Sequence, residues 1–267
     1  MSTSDSSYQA LVAKYQALKQ EFESPRSNPD KCRDLLLQLK MGLADLACFD
    51  VSNGHTEALT LARDILEIGA YWSIRVGDIP SFERYITQLS PYYYDLSSTL
   101  PDSPRMYPLL GLNLLRLLAQ GRLADFHTAL ELVDPAELKQ NRFIRHPVHL
   151  EQSLMEGSYK KVWNSRTEVP APEYMFFMDI LTTTIRNQIA SCSEKAYDSL
   201  PLEDAATLLF FPRVEDVVEF AKERNWRVNS VDRKIYFGND DTNMSDLPVD
   251  TVISQTLHYA KELEKIV

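Results

Sequence analysis

The residues best suited to metal chemistry are two histidines three positions apart, His146 and His149, followed by Glu151. A catalytic zinc ion needs three protein ligands, and neither an HExxH sequence nor a cysteine cluster supplies the third. Pro147 suits the first turn of a helix, with His146 at its capping position. We therefore interpret both histidines as structural or surface residues. A zinc enzyme remains a minor hypothesis, under which stoichiometric zinc would be lost in a His149→Ala variant.

Nucleophilic and phosphate-binding chemistry has no better candidate. Cys32, Cys48 and Cys192 are scattered without a CxxC pair, a pattern typical of reduced thiols in a cytosolic or nuclear protein. The chain has neither a GxSxG sequence nor a GxxxxGK[ST] loop. Tyr92-Tyr93-Tyr94 lacks basic surroundings, which favours packing between helices over stacking on bases. We predict that the protein is not an enzyme and that it uses no cofactor or metal.

Charge and hydropathy exclude further classes of partner. The 267 residues carry a formal net charge of −10, which gives no general attraction to nucleic acid or to anionic membranes. The longest apolar stretch, residues 109–118, is interrupted by Asn113 and Arg116 and cannot span a bilayer. Residues 1–5 lack the basic and apolar regions of a signal peptide. We expect a protein of the cytoplasm and nucleus without nucleic-acid or membrane partners.

The first 200 residues are typical of successive amphipathic helices, and only 8 glycines occur in the whole chain. Three of these glycines end a predicted helix and are followed five residues later by an apolar residue: Gly77 by Phe82, Gly121 by Phe126 and Gly157 by Val162. Spacings of 44 and 36 residues bracket the length of a helix-pair repeat. We predict a mainly α fold with a right-handed helical-repeat (TPR-like) solenoid over residues 1–200. Ordinary helix ends in a globular bundle remain the alternative.

The pattern changes after residue 200 to two short helices and two strand-like segments. This order predicts a winged helix over residues 201–238. Its wing is expected to form an interface through Trp226, Val228, Ile235, Tyr236 and Phe237. Residues 201–267 hold 8 basic and 13 acidic residues, a net charge of −5, which repels the phosphates of DNA. Contact with proteins is therefore the favoured use of this segment.

A flexible linker is predicted over residues 239–248, ahead of a terminal helix at 249–267. At 100° per residue the apolar side chains of this helix cover an arc of about 180°. Its predicted interface consists of Val249, Val252, Ile253, Leu257, Tyr259, Ala260, Leu263, Ile266 and Val267. A single tethered helix is marginally stable and must dock. It could pack back on its own winged helix or insert into a bundle built from other chains, and the sequence leaves both open.

Five longer stretches carry a resemblance to a known family. They are ARDILEIGA at 62–70, DIPSFERY at 78–85, LLGLNLL at 109–115, EQSLMEGSY at 151–159 and YAKELEKIV at 259–267. With helical repeats followed by a winged helix, the chain resembles the PCI-domain subunits of the proteasome regulatory-particle lid. The resemblance spans roughly residues 10–267.

The resemblance implies a non-catalytic scaffold that joins other PCI-domain lid subunits in a hetero-oligomer. Winged helices of such subunits pack side by side, and their C-terminal helices gather in a shared helical bundle. The terminal helix is implied to drive lid assembly and lid–base joining for ubiquitin-dependent degradation. Under this hypothesis, a Leu263→Asp and Ile266→Asp variant folds but stays outside the complex. The alternatives are the related small PCI subunits of the COP9 signalosome and of translation initiation factor three, or a PCI protein associated with nucleic acid.

Overall fold

The computed structural model describes residues 3–23, 29–47, 56–229, 232–237 and 249–265. Within these residues the protein is mainly helical, as the sequence predicts. The chain forms two compact units that divide between Thr184 and Ile185, whereas the sequence analysis placed a boundary at residue 200. The division lies inside the helix Tyr174–Ala196. This helix contains neither Gly nor Pro, so its own sequence does not end it at that point.

The first unit consists of helices in the part of the chain that is described. They are α1 (Thr3–Glu23), α2 (Pro29–Ala47), α3 (Thr56–Val76), α4 (Ile79–Tyr93), α5 (Met106–Ala119), α6 (Leu123–Glu131), α7 (Pro135–Gln140), α8 (Arg142–Met155), α9 (Tyr159–Ser165) and the first part of α10 (Tyr174–Ala196). The second unit continues from α10 with β1 (Ser199–Pro201), α11 (Leu202–Leu208), α12 (Val214–Glu223), β2 (Arg227–Asn229), β3 (Lys234–Tyr236) and α13 (Val249–Glu264).

The three glycines that the sequence analysis placed at helix ends do end helices. Gly77, Gly121 and Gly157 follow α3, α5 and α8 with φ values of 81°, 73° and 69°. A residue with a side chain would lose roughly 1–2 kcal/mol in this left-handed conformation. The apolar residues five positions later, Phe82, Phe126 and Val162, are buried in the next helices. The predicted helix ends and the inward positions after them are therefore confirmed, and the solenoid repeat itself stays a prediction.

The start of α8 differs from the prediction. Asn141 caps the helix by accepting a hydrogen bond from the Phe143 N–H at 3.1 Å, and Pro147 lies inside the helix. The prediction that His146 caps a helix starting at Pro147 is therefore wrong. A proline leaves the carbonyl four residues earlier, here that of Phe143, without its helical donor. The Tyr174 hydroxyl donates to this oxygen at 3.4 Å, so a tertiary contact accommodates the proline.

Close packing of α5 and α8 depends on Gly111. A Cβ atom there would overlap the Tyr174 hydroxyl and the Phe143 carbonyl oxygen. The Tyr174 side chain is fully buried, and its hydroxyl also donates to the Pro108 carbonyl at 2.9 Å. One buried tyrosine thus ties α10 to α5 and α8.

A second part of the first unit's core is formed by α1, α2 and α3. Leu18, Leu39, Ile65 and Ile68 are fully buried there. Each helix supplies aliphatic side chains at helical spacing, and each such side chain contributes about 1.5–3 kcal/mol when it is fully buried.

A buried carboxylate lies between α3 and α4. Glu67 accepts a hydrogen bond from the Tyr93 hydroxyl at 2.9 Å, and Arg63 Nε lies 3.8 Å from the same oxygen. Burial raises the pKa of Glu67, while hydrogen bonds from Ser103 and Tyr93 and the charge of Arg63 oppose that rise. Tyr93, the middle residue of the tyrosine triplet, therefore packs between helices as expected.

The second unit combines three helices with a small antiparallel sheet in strand order β1-β3-β2. Ile235 of β3 pairs with Leu200 of β1 and with Val228 of β2, and its side chain is fully buried. Val217 and Ala221 of α12 are also fully buried.

Polar contacts connect α10 to the start of β2. Glu194 accepts from the Trp226 indole N–H at 2.8 Å and from Arg224 at 3.2 Å. Arg224 also donates to the Asn187 carbonyl at 3.0 Å. Asn225, with a φ of 58°, forms the turn between Arg224 and Trp226.

Candidate interaction site

The most exposed apolar surface of the described chain is on α13. Side chains from Val252 to Lys265 are all exposed. The large apolar ones have exposed fractions between 48% and 74% and are Val252, Ile253, Leu257, Tyr259 and Leu263. Ala260 lies within the same exposed face, while Ile266 and Val267 lie outside the described residues, as does the side chain of Val249. An apolar face of this extent on one helix is typical of an interaction site.

Two basic side chains near the end of α13 lie close to the Glu262 carboxylate. Lys265 Nζ lies 2.7 Å from Glu262 Oε1, and His258 Nδ1 lies 3.9 Å from the same oxygen. These residues occupy the side opposite the apolar arc, as the periodicity predicts.

Thr256 lies in the middle of the apolar arc, and its hydroxyl group does not add an unpaired polar hydrogen to that surface. Its hydroxyl donates to the Val252 and Ile253 carbonyl oxygens at 2.8 and 2.9 Å. Because the polar hydrogen is used inside the helix, the methyl group is left for contact with a partner. The face can therefore be desolvated without leaving an unpaired hydroxyl donor.

The five residues of the predicted wing differ in exposure. Ile235 is 0% exposed and Trp226 is 8% exposed, so both belong to the core of the second unit. Val228 and Phe237 are partly buried, and Phe237 packs edge-on against Trp226 with ring centroids 4.9 Å apart. Tyr236 is 38% exposed. In the unit as described, the side chains available to a partner are therefore Tyr236 and parts of Val228 and Phe237.

The histidine pair is not assembled into a ligand set. His146 is partly buried, its Nε2 atom has no hydrogen-bond partner among the residues that the structure describes, and burial lowers the pKa of the imidazole. His149 is exposed, and Glu151 Oε1 instead lies 3.5 Å from His127 Nε2 of α6. Among the described residues, no group of three or more His, Cys, Asp or Glu side chains could hold a metal ion.

Two of the three cysteines lie among the described residues. Cys32 is buried, with its pKa raised chiefly by that burial, and Cys192 is exposed; both are free thiols. Cys48 lies outside the described residues.

In the ranges that the structure describes, no helix is both long and apolar enough to cross a membrane.

The sequence analysis missed an exposed apolar row on α2. Leu37 and Met41, one helical turn apart, are 50% and 62% exposed. Leu36 and Leu39 lie on another, buried side of the same helix. The signal was present, because apolar residues on two faces of one helix predict two contact surfaces.

Comparison with known proteins identifies the family of this chain. A model of the CSN8/PSMD8/EIF3K family matches residues 104–245, more than half of the chain. The chain belongs to the CSN8/PSMD8/EIF3K family.

Relatives within this family match the chain over nearly its whole length. The "26S proteasome non-ATPase regulatory subunit 8 homolog A" of Arabidopsis thaliana is 40% identical over 94% of this chain and 97% of its own. The "26S proteasome regulatory subunit rpn12" of Schizosaccharomyces pombe is 36% identical over 91% and 95%. The corresponding RPN12 of Saccharomyces cerevisiae is 35% identical over 88% and 92%. These CSN8/PSMD8/EIF3K family members are all named as regulatory subunits of the proteasome.

Proposed function

We propose that this chain is a non-catalytic scaffold subunit of the 26S proteasome regulatory-particle lid. The family description covers subunits of three complexes, and the relatives that match along nearly the full length are all named for the proteasome. That agreement favours the proteasome over the COP9 signalosome and translation initiation factor three. The proposed location is the cytoplasm and nucleus.

The finer architecture belongs to the same proposal. The second unit has the order helix, strand, helix, helix, strand, strand with an antiparallel sheet, which supports a winged helix. Helix pairs that end at Gly77, Gly121 and Gly157 support a right-handed TPR-like solenoid before it. Together they form a PCI domain in our proposal, with the predicted linker at 239–248 leading to α13.

The single observation that carries the proposed mechanism is the exposed apolar face of α13. A helix of this length is marginal in water when it packs on nothing. Full burial of a large apolar side chain contributes roughly 1.5–3 kcal/mol before ordering costs are subtracted, and between 48% and 74% of each of the five on α13 remains to be covered. We infer that α13 inserts into a helical bundle formed by other lid subunits, and that this step promotes lid assembly and the joining of lid and base for ubiquitin-dependent degradation. The exposure of residues 252–265 supports insertion over packing back on the same chain.

The test replaces two residues at the centre of the apolar arc, Ile253→Asp together with Leu263→Asp, in the full chain. A matched control adds the same two carboxylates on the polar side of α13, with Ser254→Asp and His258→Asp. Both variants are expected to fold, since all four positions are exposed. Only the first should be absent from lid particles reassembled from co-expressed subunits and separated by native electrophoresis. Equal incorporation of both variants would overturn the proposed insertion.

A further inference from the structure

A groove in the first unit has no role in the function proposed above. It lies between α2, the end of α3 and the start of α4, and encloses about 500 Å³. Leu37 of α2 and Val76 of α3 line it and are 50% and 51% exposed. The partly buried Trp72 adds an aromatic surface between them. Two half-exposed aliphatic side chains that line one concave surface are unfavourably hydrated, and a covering group would stabilise them.

Three cations line the same groove. Arg33 and Lys40 come from α2 and Arg84 from α4. In the described part of the chain, no ion pair joins them to a carboxylate within 4.0 Å: Arg84 donates to the Ser81 hydroxyl at 2.8 Å, and Lys40 Nζ lies 4.0 Å from the centre of the Tyr85 ring.

The charge of Arg84 acts on Lys40. Burial, and then the charge of Arg84, lower the pKa of Lys40, so the partly buried Lys40 ammonium has a like charge near it. An anionic group placed near both would relieve that repulsion.

The two carboxylates in the groove, Asp78 and Asp30, both lie at the beginning of a helix and interact with it. Asp78 accepts a hydrogen bond from the Ser81 N–H at 3.1 Å and caps α4. Asp30 lies in the first turn of α2, where a negative charge complements the helix dipole. The groove therefore carries three cations against two carboxylates, in a chain whose net charge is −10.

We propose that this groove binds a segment of another protein in which carboxylates flank apolar side chains. The carboxylates would lie near Lys40 and Arg84, and the apolar side chains would cover Leu37 and Val76. Nucleic acid fits this groove less well. Three cations neutralise few phosphates, and the negative net charge of the chain repels a polyanion. The aliphatic side chains of the groove also provide no hydrogen-bond donor to a phosphate. The groove does not include α13, so this proposal is independent of the proposed lid function.

The probe for this groove is a random library of 16-residue peptides displayed on phage and selected on the full-length protein. A second selection on a Leu37→Glu and Arg84→Glu variant identifies the peptides that need the groove. Those peptides are expected to combine acidic and apolar residues. By fluorescence anisotropy they should bind this variant, and also Arg33→Glu, at least about tenfold more weakly than the unaltered protein.

The matched control, Arg145→Glu with Met155→Glu on exposed positions of α8, should bind these peptides normally. A chain ending at Pro248 should bind them normally too, which separates this result from any failure of α13. Urea unfolding midpoints establish that each variant is folded. The proposal is overturned if no selected peptide depends on the groove or if the dependent peptides lack acidic or apolar residues. It is also overturned if single-stranded DNA or phosphatidylserine vesicles occupy the groove in their place.

Discussion

At the scale of single residues, the buried carboxylate of Glu67 makes stability depend on pH. Its pKa is raised in the folded protein, so folding favours the protonated form. The corresponding contribution is fully present below the ordinary value of 4.5 and is lost as the pH rises through the raised pKa. A Glu67→Gln variant keeps the shape of the side chain and an acceptor for Tyr93 without a charge.

We therefore expect the stability of Glu67→Gln relative to the unaltered protein to increase between about pH 5 and about pH 8. Urea unfolding of both proteins at the two pH values measures this difference, and Glu131→Gln at an exposed position of α6 is the control. A difference that stays constant, or that decreases with pH, would mean that the hydrogen bonds from Ser103 and Tyr93, together with the Arg63 charge, offset or outweigh the cost of burial.

Gly111 provides a second prediction at this scale. A Cβ atom there meets the carbonyl oxygen of Phe143, which cannot move without moving α8. We expect Gly111→Ala to destabilise the first unit by about 1–3 kcal/mol, despite the better helix propensity of alanine. Gly42→Ala is the comparison, because the atoms nearest to its added methyl group belong to the flexible side chain of Leu11 and not to a backbone. Thermal unfolding of both variants should show a clear loss for the first only, and equal losses would contradict the packing argument.

At the scale of elements, Glu194 connects α10 to the segment that enters β2. Removing its carboxylate leaves the buried Trp226 indole N–H without an acceptor and Arg224 without its charged partner. We expect Glu194→Ala to lower the unfolding free energy of the second unit by about 1–3 kcal/mol. Glu219→Ala, at an exposed position of α12, should change it by no more than about 0.5 kcal/mol. Chemical denaturation followed by Trp226 fluorescence, in a background with Trp72→Phe and Trp163→Phe, distinguishes the two variants, and similar losses would refute the role of this contact.

The sequence predicted the helix ends and helix faces whose structure depends on residues close together in the chain. The glycines at 77, 121 and 157 mark helix ends because the backbone there needs a positive φ. The amphipathic arc of α13 follows from its periodicity alone. The start of α8 was not predictable in this way, because the Tyr174 hydroxyl that serves the carbonyl left free by Pro147 is distant in sequence.

The same distinction applies to the candidate sites. An exposed apolar residue such as Leu263 of α13 has no partner within the described chain, so periodicity was sufficient to find it. Trp226 and Ile235 look equally apolar in sequence, yet the pairing of three strands and the contact with Glu194 place them in a core. The groove at Arg33, Lys40 and Arg84 depends on the packing of three helices, which no single stretch of sequence encodes.

At the scale of the whole molecule, the residues that form the cores differ from the residues that we propose for assembly. The core residues of the two units are buried within the units, whereas the side chains of residues 252–265 are all exposed. This separation is what a scaffold subunit needs, because a free chain can fold first and dock afterwards. It also means that changes in α13 should affect incorporation without affecting stability.

We propose that α13 attaches this chain to the proteasome regulatory particle. The most direct measurement compares the tagged full-length chain with a version that ends at Pro248, in a low-salt pull-down with partners identified by mass spectrometry. We expect the full chain to bring down proteasome regulatory subunits and the shortened chain to bring down none. The two proteins should have urea unfolding free energies that agree within about 0.5 kcal/mol. Recovery of the same subunits by both chains would contradict the role of α13, and signalosome or initiation-factor subunits in their place would contradict the proposed complex.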